Sequence, residues 1–222
     1  MRAVPSASVK LVGLGGGIGA GKSTVSAALA ERGAVIVDAD LIAREIVEPG
    51  GPAYAPLIER FGRGILQPDG TLDRKALAAI VFTDPEQLAA LNAITHPAIN
   101  RVIADRVGTH IGTDRVVILD AALLFDAPRV GIVGRLLVDV DPDTAVERLV
   151  RHRGFSEADA RNRIASQMSR EERLAQADFV IDNSGGLEAL APQIDDVWRW
   201  IDGLPESPVD GRPGSRADLP AT

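Results

Sequence analysis

The segment Gly16-Gly17-Ile18-Gly19-Ala20-Gly21-Lys22-Ser23 constrains this chain more than any other, because it satisfies G-x-x-x-x-G-K-[ST] at every fixed position. Residues without side chains let successive backbone N–H groups converge on an anion, while the helix that follows points its positive end at the same place. Gly17, Ile18, Gly19, Ala20 and Gly21 are therefore read as backbone donors to nucleotide phosphates. Lys22 reaches the β- and γ-phosphate oxygens, Ser23 offers a hard hydroxyl oxygen to Mg²⁺, and Thr24 adds a contact to the α-phosphate.

The flanks suit the loop. Lys10-Leu11-Val12-Gly13-Leu14 is a short apolar run that reads as a buried strand, and a helix is expected from near Lys22 with a stop at Gly33. Ala34 to Val37 reads as the next strand. A strand, glycine loop, helix and strand within about thirty residues make a βαβ unit, which favours a parallel sheet covered by helices. Val116 to Leu119, Arg135 to Val140 and Phe179 to Ile181 continue the pattern, and Asp141-Pro142 is an N-cap followed by a first-turn proline. The expected fold class is α/β, a P-loop NTPase three-layer fold with a parallel sheet flanked by helices.

Within a kinase domain spanning 9–203, the core is placed at about 9–42, 112–150 and 177–203. Residues 43–111 have helical apolar spacing and read as a helical acceptor-binding insertion, with a helix start at Asp84-Pro85 and a helix junction at Asn92 to Pro97. Residues 151–176 read as an arginine-rich helical lid. Residues 204–222 hold four prolines from Pro205 onward and few apolar side chains, and are expected to form a disordered tail.

Composition excludes several function classes. The chain has 222 residues, no cysteine and a formal net charge of −7. A thiol nucleophile, a thiolate metal site and a disulfide framework are thereby excluded, and an extended footprint for nucleic acid is disfavoured. No apolar run approaches a membrane span and the start lacks a signal-peptide pattern, so a cytoplasmic protein with no nucleic-acid or membrane partner is expected. His96, His110 and His152 lack the spacing of a histidine metal centre. Trp198 and Trp200 are read as packing residues.

In an open α/β sheet, ligands bind beyond the carboxyl ends of the strands, where Asp38, Asp40, Asp120 and Asp182 collect. Asp40 can accept a proton from an attacking hydroxyl, or it can simply cap the helix expected at Leu41 to Val47. Asp38 and Asp120 are placed near the metal through water, with a structural role as the alternative for each. Seven arginines lie between Arg148 and Arg173. They suit a lid closing over polyphosphate, against the alternative of a solvated face paired with interleaved acids. His96, before Pro97, reads as structural from the residues alone.

Beyond the loop, Val37-Asp38-Ala39-Asp40 with Ala43-Arg44, Asp69-Gly70, His96-Pro97, Leu123-Leu124-Phe125 and Ile181-Asp182-Asn183-Ser184-Gly185 resemble the dephospho-coenzyme A kinase family in order and spacing, over roughly residues 10–202. The resemblance implies a phosphotransferase with an alcohol acceptor: ATP, with Mg²⁺, phosphorylates the ribose 3′-hydroxyl of dephospho-CoA in the last step of coenzyme A biosynthesis. It implies Asp40 as the base, Lys22 and Arg148 as phosphate-binding catalytic groups, and Arg44, His96 and Leu123 with Asp40 on the acceptor. Gly15 stands where the family usually has threonine, a change expected to alter only loop stiffness. Ala122-Leu123-Leu124-Phe125-Asp126 stands where it usually has Pro-Leu-Leu and an acid.

Another small-molecule, nucleoside or nucleotide kinase of the same class is the alternative function. A regulatory GTPase is disfavoured, since none of Lys10, Lys22 and Lys75 has aspartate two residues later.

Overall fold

The computed structural model describes residues 9–126 and 131–207. The described residues divide into two compact units, one formed by those within 9–37 and 107–207 and the other by 38–106.

The first unit is built on the sheet. Its strands are β1 (Lys10–Gly16), β2 (Val35–Asp38), β3 (Val116–Asp120), β4 (Gly134–Asp139) and β5 (Phe179–Asp182), in the order β2-β3-β1-β4-β5. β1 runs parallel to β3 and β4, with Leu14 opposite Asp120 and Leu136, and β4 runs parallel to β5. The central strands β1, β3 and β4 are buried on both faces over most of their length and therefore read as continuous apolar runs in the sequence. On one face Val12 and Leu14 pack with Ile118, Leu136, Val138 and Ile181 against α1 (Lys22–Glu31) and α9 (Leu187–Asp202). Trp198 and Trp200 pack on this core, with the Trp200 ring centroid 5.3 Å from that of Phe179.

α6 (Pro142–Arg153) begins as expected, with the Asp141 carboxylate accepting from the Asp143 and Thr144 amides at 2.9 and 3.3 Å. It is capped by Gly154 and followed by α7 (Glu157–Ala165) and α8 (Arg170–Gln176), both within the segment expected to be a lid. Val146, Leu149 and Ala160 form a small apolar cluster between α6 and α7, and Ile18 of the phosphate loop packs against it.

The tail expectation needs correction at its near end. Leu204 packs on the core, and Ser207, 3% exposed, forms an antiparallel bridge with Val9. Pairing of β1 with β4 starts only at Val12, which leaves backbone groups of Val9 and Leu11 without strand partners on that side. The Ser207 amide donates to the Val9 carbonyl at 2.8 Å, and its Oγ accepts from the Leu11 amide at 2.9 Å. Residues 208–222 of the expected tail lie outside the described residues.

The second unit is helical: α2 (Ala39–Glu45), α3 (Tyr54–Phe61), α4 (Arg74–Val81) and α5 (Pro85–Gly108), whose last residues pass into the first unit. Arg106 of α5 pairs with Glu45 at the end of α2. Between α3 and α4, Leu66 bridges Leu72 around a turn at Asp69-Gly70, and the Tyr54 hydroxyl donates to the Gly70 carbonyl at 2.6 Å. Thr71 donates to Asp69 from its hydroxyl and its amide, which holds the Asp69 carboxyl below its ordinary value.

Two expectations fail here. The junction expected at Asn92 to Pro97 is absent, since α5 runs through with Pro97 inside it. Proline removes one backbone bond of the helix, a local loss that a helix of 24 residues can carry. The helix expected over Leu41 to Val47 instead spans Ala39–Glu45, and Asp38 rather than Asp40 is its cap, accepting from the Leu41 amide at 2.9 Å. Asp40 then falls in the first turn.

Candidate active site

The phosphate loop connects β1 to α1 and is shaped by close approach as much as by conformational freedom. Gly19 and Gly21 both have φ of 81°, a region that disfavours side chains. A Cβ on Gly19 would also lie 2.9 Å from the Ala145 carbonyl of α6, and one on Gly21 would run into the Asn183 amide nitrogen. α1 has no side-chain cap and no acid in its first turn, so its leading N–H groups are kept for an external anion. Ser23 is exposed there and Thr24 partly so.

Lys22 forms an ion pair with Asp120, whose side chain is 7% exposed. Asp120 thus acts directly on the lysine, a contact that the metal-side reading did not include. An ammonium has three donors, so Lys22 can hold Asp120 and still address phosphate oxygens.

The lid arginines divide by what they touch. Arg161 pairs with Glu157 and Asp143, which hold its guanidinium above the ordinary value, and Arg163 lies 4.6 Å over the Phe155 ring. Arg151 and Arg153 are exposed in the last turn of α6. Arg170 grips Asp139 with Nε and Nη2, at 2.6 Å for the shorter contact. These bonds raise the Arg170 pKa further.

Arg148 and Arg173 differ from the rest, since Nη1 of Arg148 and Nε of Arg173 are buried with no hydrogen-bond partner among the described residues. Both stand at the loop: Cβ positions on Gly21 and Gly17 would lie 3.7 Å from Arg148 Nη1 and 3.0 Å from Arg173 Nη2. Buried donors without partners are costly, and an anion on the loop would satisfy them.

Two contributors escaped the sequence reading, and two more were read there only as members of a longer segment. Asp139, 7% exposed at the end of β4, anchors Arg170. Gln167, between α7 and α8, accepts from the Ile18 amide at 2.8 Å. Arg173 is placed individually against Gly17, and Asn183 bonds the loop carbonyl of Ala20. Asp139 had a signal, a carboxylate ending an apolar run; Gln167 had none. A cleft of about 290 Å³ lies between the loop, the end of β4 and the α7–α8 junction.

Leu123 follows β3 and is 61% exposed, while Leu124 and Phe125 are buried against β1. A Cβ on Gly15 would lie 2.5 Å from the Phe125 ring, so glycine here makes room for the ring, a packing role beyond loop stiffness. Asp182, the last residue of β5, accepts from the Ser184 side chain and amide, which lower its pKa.

The remaining candidates lie in the second unit. Asp40 and Arg44 are exposed and stand at i and i+4 of α2, on one face of that helix. His96 is exposed midway along α5.

Comparison with known proteins decides the family. The dephospho-CoA kinase family model matches residues 10–189. The chain belongs to the dephospho-CoA kinase family. A dephospho-CoA kinase of Streptomyces avermitilis is 52% identical over 190 residues, covering 84% of this chain and 91% of the relative. One from Leifsonia xyli is 46% identical over 198 residues, covering 88% and 100%. A solved Thermus thermophilus protein superposes with a TM-score of 0.75 at 33% identity, covering 87% of this chain and 98% of that one. Dephospho-CoA kinase from Campylobacter jejuni, at 23% identity and a TM-score of 0.65 over 86% and 96%, shares the fold. Among the described residues no helix is long and apolar enough to cross a membrane.

Proposed function

We propose that this chain transfers the γ-phosphoryl group of ATP to the ribose 3′-hydroxyl of dephospho-CoA, giving CoA and ADP, the last step of coenzyme A biosynthesis, in the cytoplasm. The observation that carries the reading is the convergence on a glycine loop of Lys22 and two guanidinium groups, each with one buried nitrogen unpartnered among the described residues, in a chain of this family.

Phosphoryl transfer needs positioning and charge compensation more than covalent help from the protein. The backbone N–H groups of Gly17 to Gly21 and the start of α1 hold the polyphosphate, with Thr24 beside them. Lys22 draws charge from the β- and γ-phosphate oxygens, and Arg148 does so from beside Gly21. Asp40 takes the proton as the 3′-oxygen forms its bond to phosphorus and the bond from phosphorus to the ADP oxygen breaks. Arg44 on the same helix face, His96 and Leu123 contact the acceptor.

The donors suit Mg²⁺. It accepts one or two protein oxygens and keeps its remaining positions for water and phosphate. The exposed Ser23 hydroxyl in the first turn of α1 would offer one such oxygen. Asp120 and Asp38 would act through water, and the ion would neutralise phosphate charge.

An ADP-release assay with ATP and Mg²⁺, comparing dephospho-CoA with adenosine, AMP and shikimate, tests the assignment. Turnover is expected with dephospho-CoA; equal turnover with AMP or adenosine would point to another kinase of this class.

A further inference from the structure

Asn183 follows β5, is 7% exposed, and has no part in the chemistry described above. Its polar groups tie three separate parts of the phosphate site together. The backbone amide donates to the Asp139 carbonyl at 2.8 Å, at the end of β4. The backbone carbonyl accepts from Arg148 Nη2 at 2.7 Å. The side-chain Nδ2 donates to the Ala20 carbonyl of the phosphate loop at 2.7 Å.

The last contact acts through the geometry of the peptide. A peptide unit is planar and trans, so a carbonyl and the N–H that follows it point in opposite directions. Holding the Ala20 carbonyl on Asn183 therefore turns the Gly21 N–H to the other side of the loop backbone. Gly21 itself, at φ 81°, has little steric resistance to rotation, and nothing in its own structure selects the peptide orientation. The amide nitrogen of Asn183 also occupies the space that a Gly21 side chain would need, so the residue and the glycine fit each other.

We propose that Asn183 is a positioning residue for phosphate binding. It sets the Ala20–Gly21 peptide so that the Gly21 N–H is offered to the β-phosphate. Through its own carbonyl it holds the Arg148 guanidinium with the unpartnered Nη1 beside the same glycine. The proposal rests on the nucleotide reading of the loop but is independent of which alcohol is phosphorylated.

Two variants test it. Asn183→Asp preserves size and replaces the donor by an acceptor facing a carbonyl, and Asn183→Ala removes the group and leaves room for water on the Ala20 carbonyl. Both retain the backbone bonds to Asp139 and Arg148. The measurements are the Kd of ADP with Mg²⁺, titrated without acceptor well below the melting temperature, and the KM for each substrate. ADP should bind roughly tenfold more weakly in both variants, the worth of a hydrogen bond to a charged group. The KM for ATP should rise in parallel, with the KM for dephospho-CoA unchanged. A role in stability alone would lower the melting temperature and leave ADP affinity of the folded protein intact. ADP Kd values within about twofold of the parent would overturn the proposal, and should the aspartate variant not fold, the alanine variant decides by the same criterion. Failure of dephospho-CoA as acceptor would overturn the function while leaving this ADP measurement valid.

Discussion

The proposed phosphate side and the proposed acceptor side of this chain are built by different means. In the sheet unit, the candidate groups sit at the ends of buried strands and hold one another: Lys22 on Asp120, Arg170 on Asp139, Asn183 on Ala20. In the helical unit, Asp40, Arg44 and His96 stand exposed on helix surfaces. Groups locked by packing and second partners cost little reorganisation when charge develops, whereas exposed ones are ordered by the substrate they meet. In the proposed reading, charge compensation is prebuilt on the phosphate side, and the acceptor contacts come from exposed helix positions.

Substitutions can break that contrast. The largest effect is expected for Lys22→Met, which removes the point charge on the β- and γ-phosphates and should lower kcat by about 10³ or more. It also strands the buried Asp120 carboxylate, so the melting temperature should fall as well. A folded variant with near-normal turnover would remove the loop from the chemistry.

Asp40→Asn should lower kcat by roughly 10²–10⁴ with ATP affinity retained and stability little changed. The structure sharpens this test, because the cap of α2 is Asp38. Asp38→Ala should therefore cost about 1 kcal/mol in thermal denaturation, the usual worth of an N-cap. Undiminished kcat in Asp40→Asn would deny the exposed carboxylate its role as base.

Two arginines of one segment should part company in stability. Arg170→Ala leaves Asp139 buried without its partner and is expected to destabilise by about 1–3 kcal/mol, a range discounted because Arg170 itself is partly exposed. Arg161→Ala removes only exposed pairs, which solvent screens, and should leave stability unchanged. Denaturant unfolding of both variants checks this, and equal losses would contradict the division of the arginines.

The smallest effect concerns acid. Bonds from Ser184 lower the pKa of Asp182 in the folded state from 3.8. A depressed carboxylate contributes stability above its unfolded pKa and loses it as pH falls through the folded value. Ser184→Ala should therefore matter near neutrality and lose its effect as pH falls below about 4. Melting curves at pH 3 and pH 7 would show the difference between parent and variant shrinking at the lower pH.

Much of the sheet unit could be read along the chain. Its strands are apolar runs, the glycine loop follows the first, and Asp141-Pro142 marks a helix start by local chemistry. Less was legible in the helical unit. Asn92 to Pro97 carries a real local signal for a junction, but one lost backbone bond did not outweigh the rest of α5. Asp38 and Asp40 are equally good caps by composition, and the position of the first helical turn chose between them.

By itself the sequence determined the loop chemistry, the parallel sheet and the family, since each depends on residues close together in the chain or on a spacing that survives folding. Tertiary structure decided which lid-segment arginines stand at the glycine loop, that Asp120 holds Lys22, and that Asn183 reaches Ala20 across 163 positions. It also decided that Ser207, in a stretch composed like a disordered tail, docks on the first strand. The physical reason is the same throughout: a buried polar group must find its partner in space, and that partner is set by which backbone ends the packed sheet brings side by side.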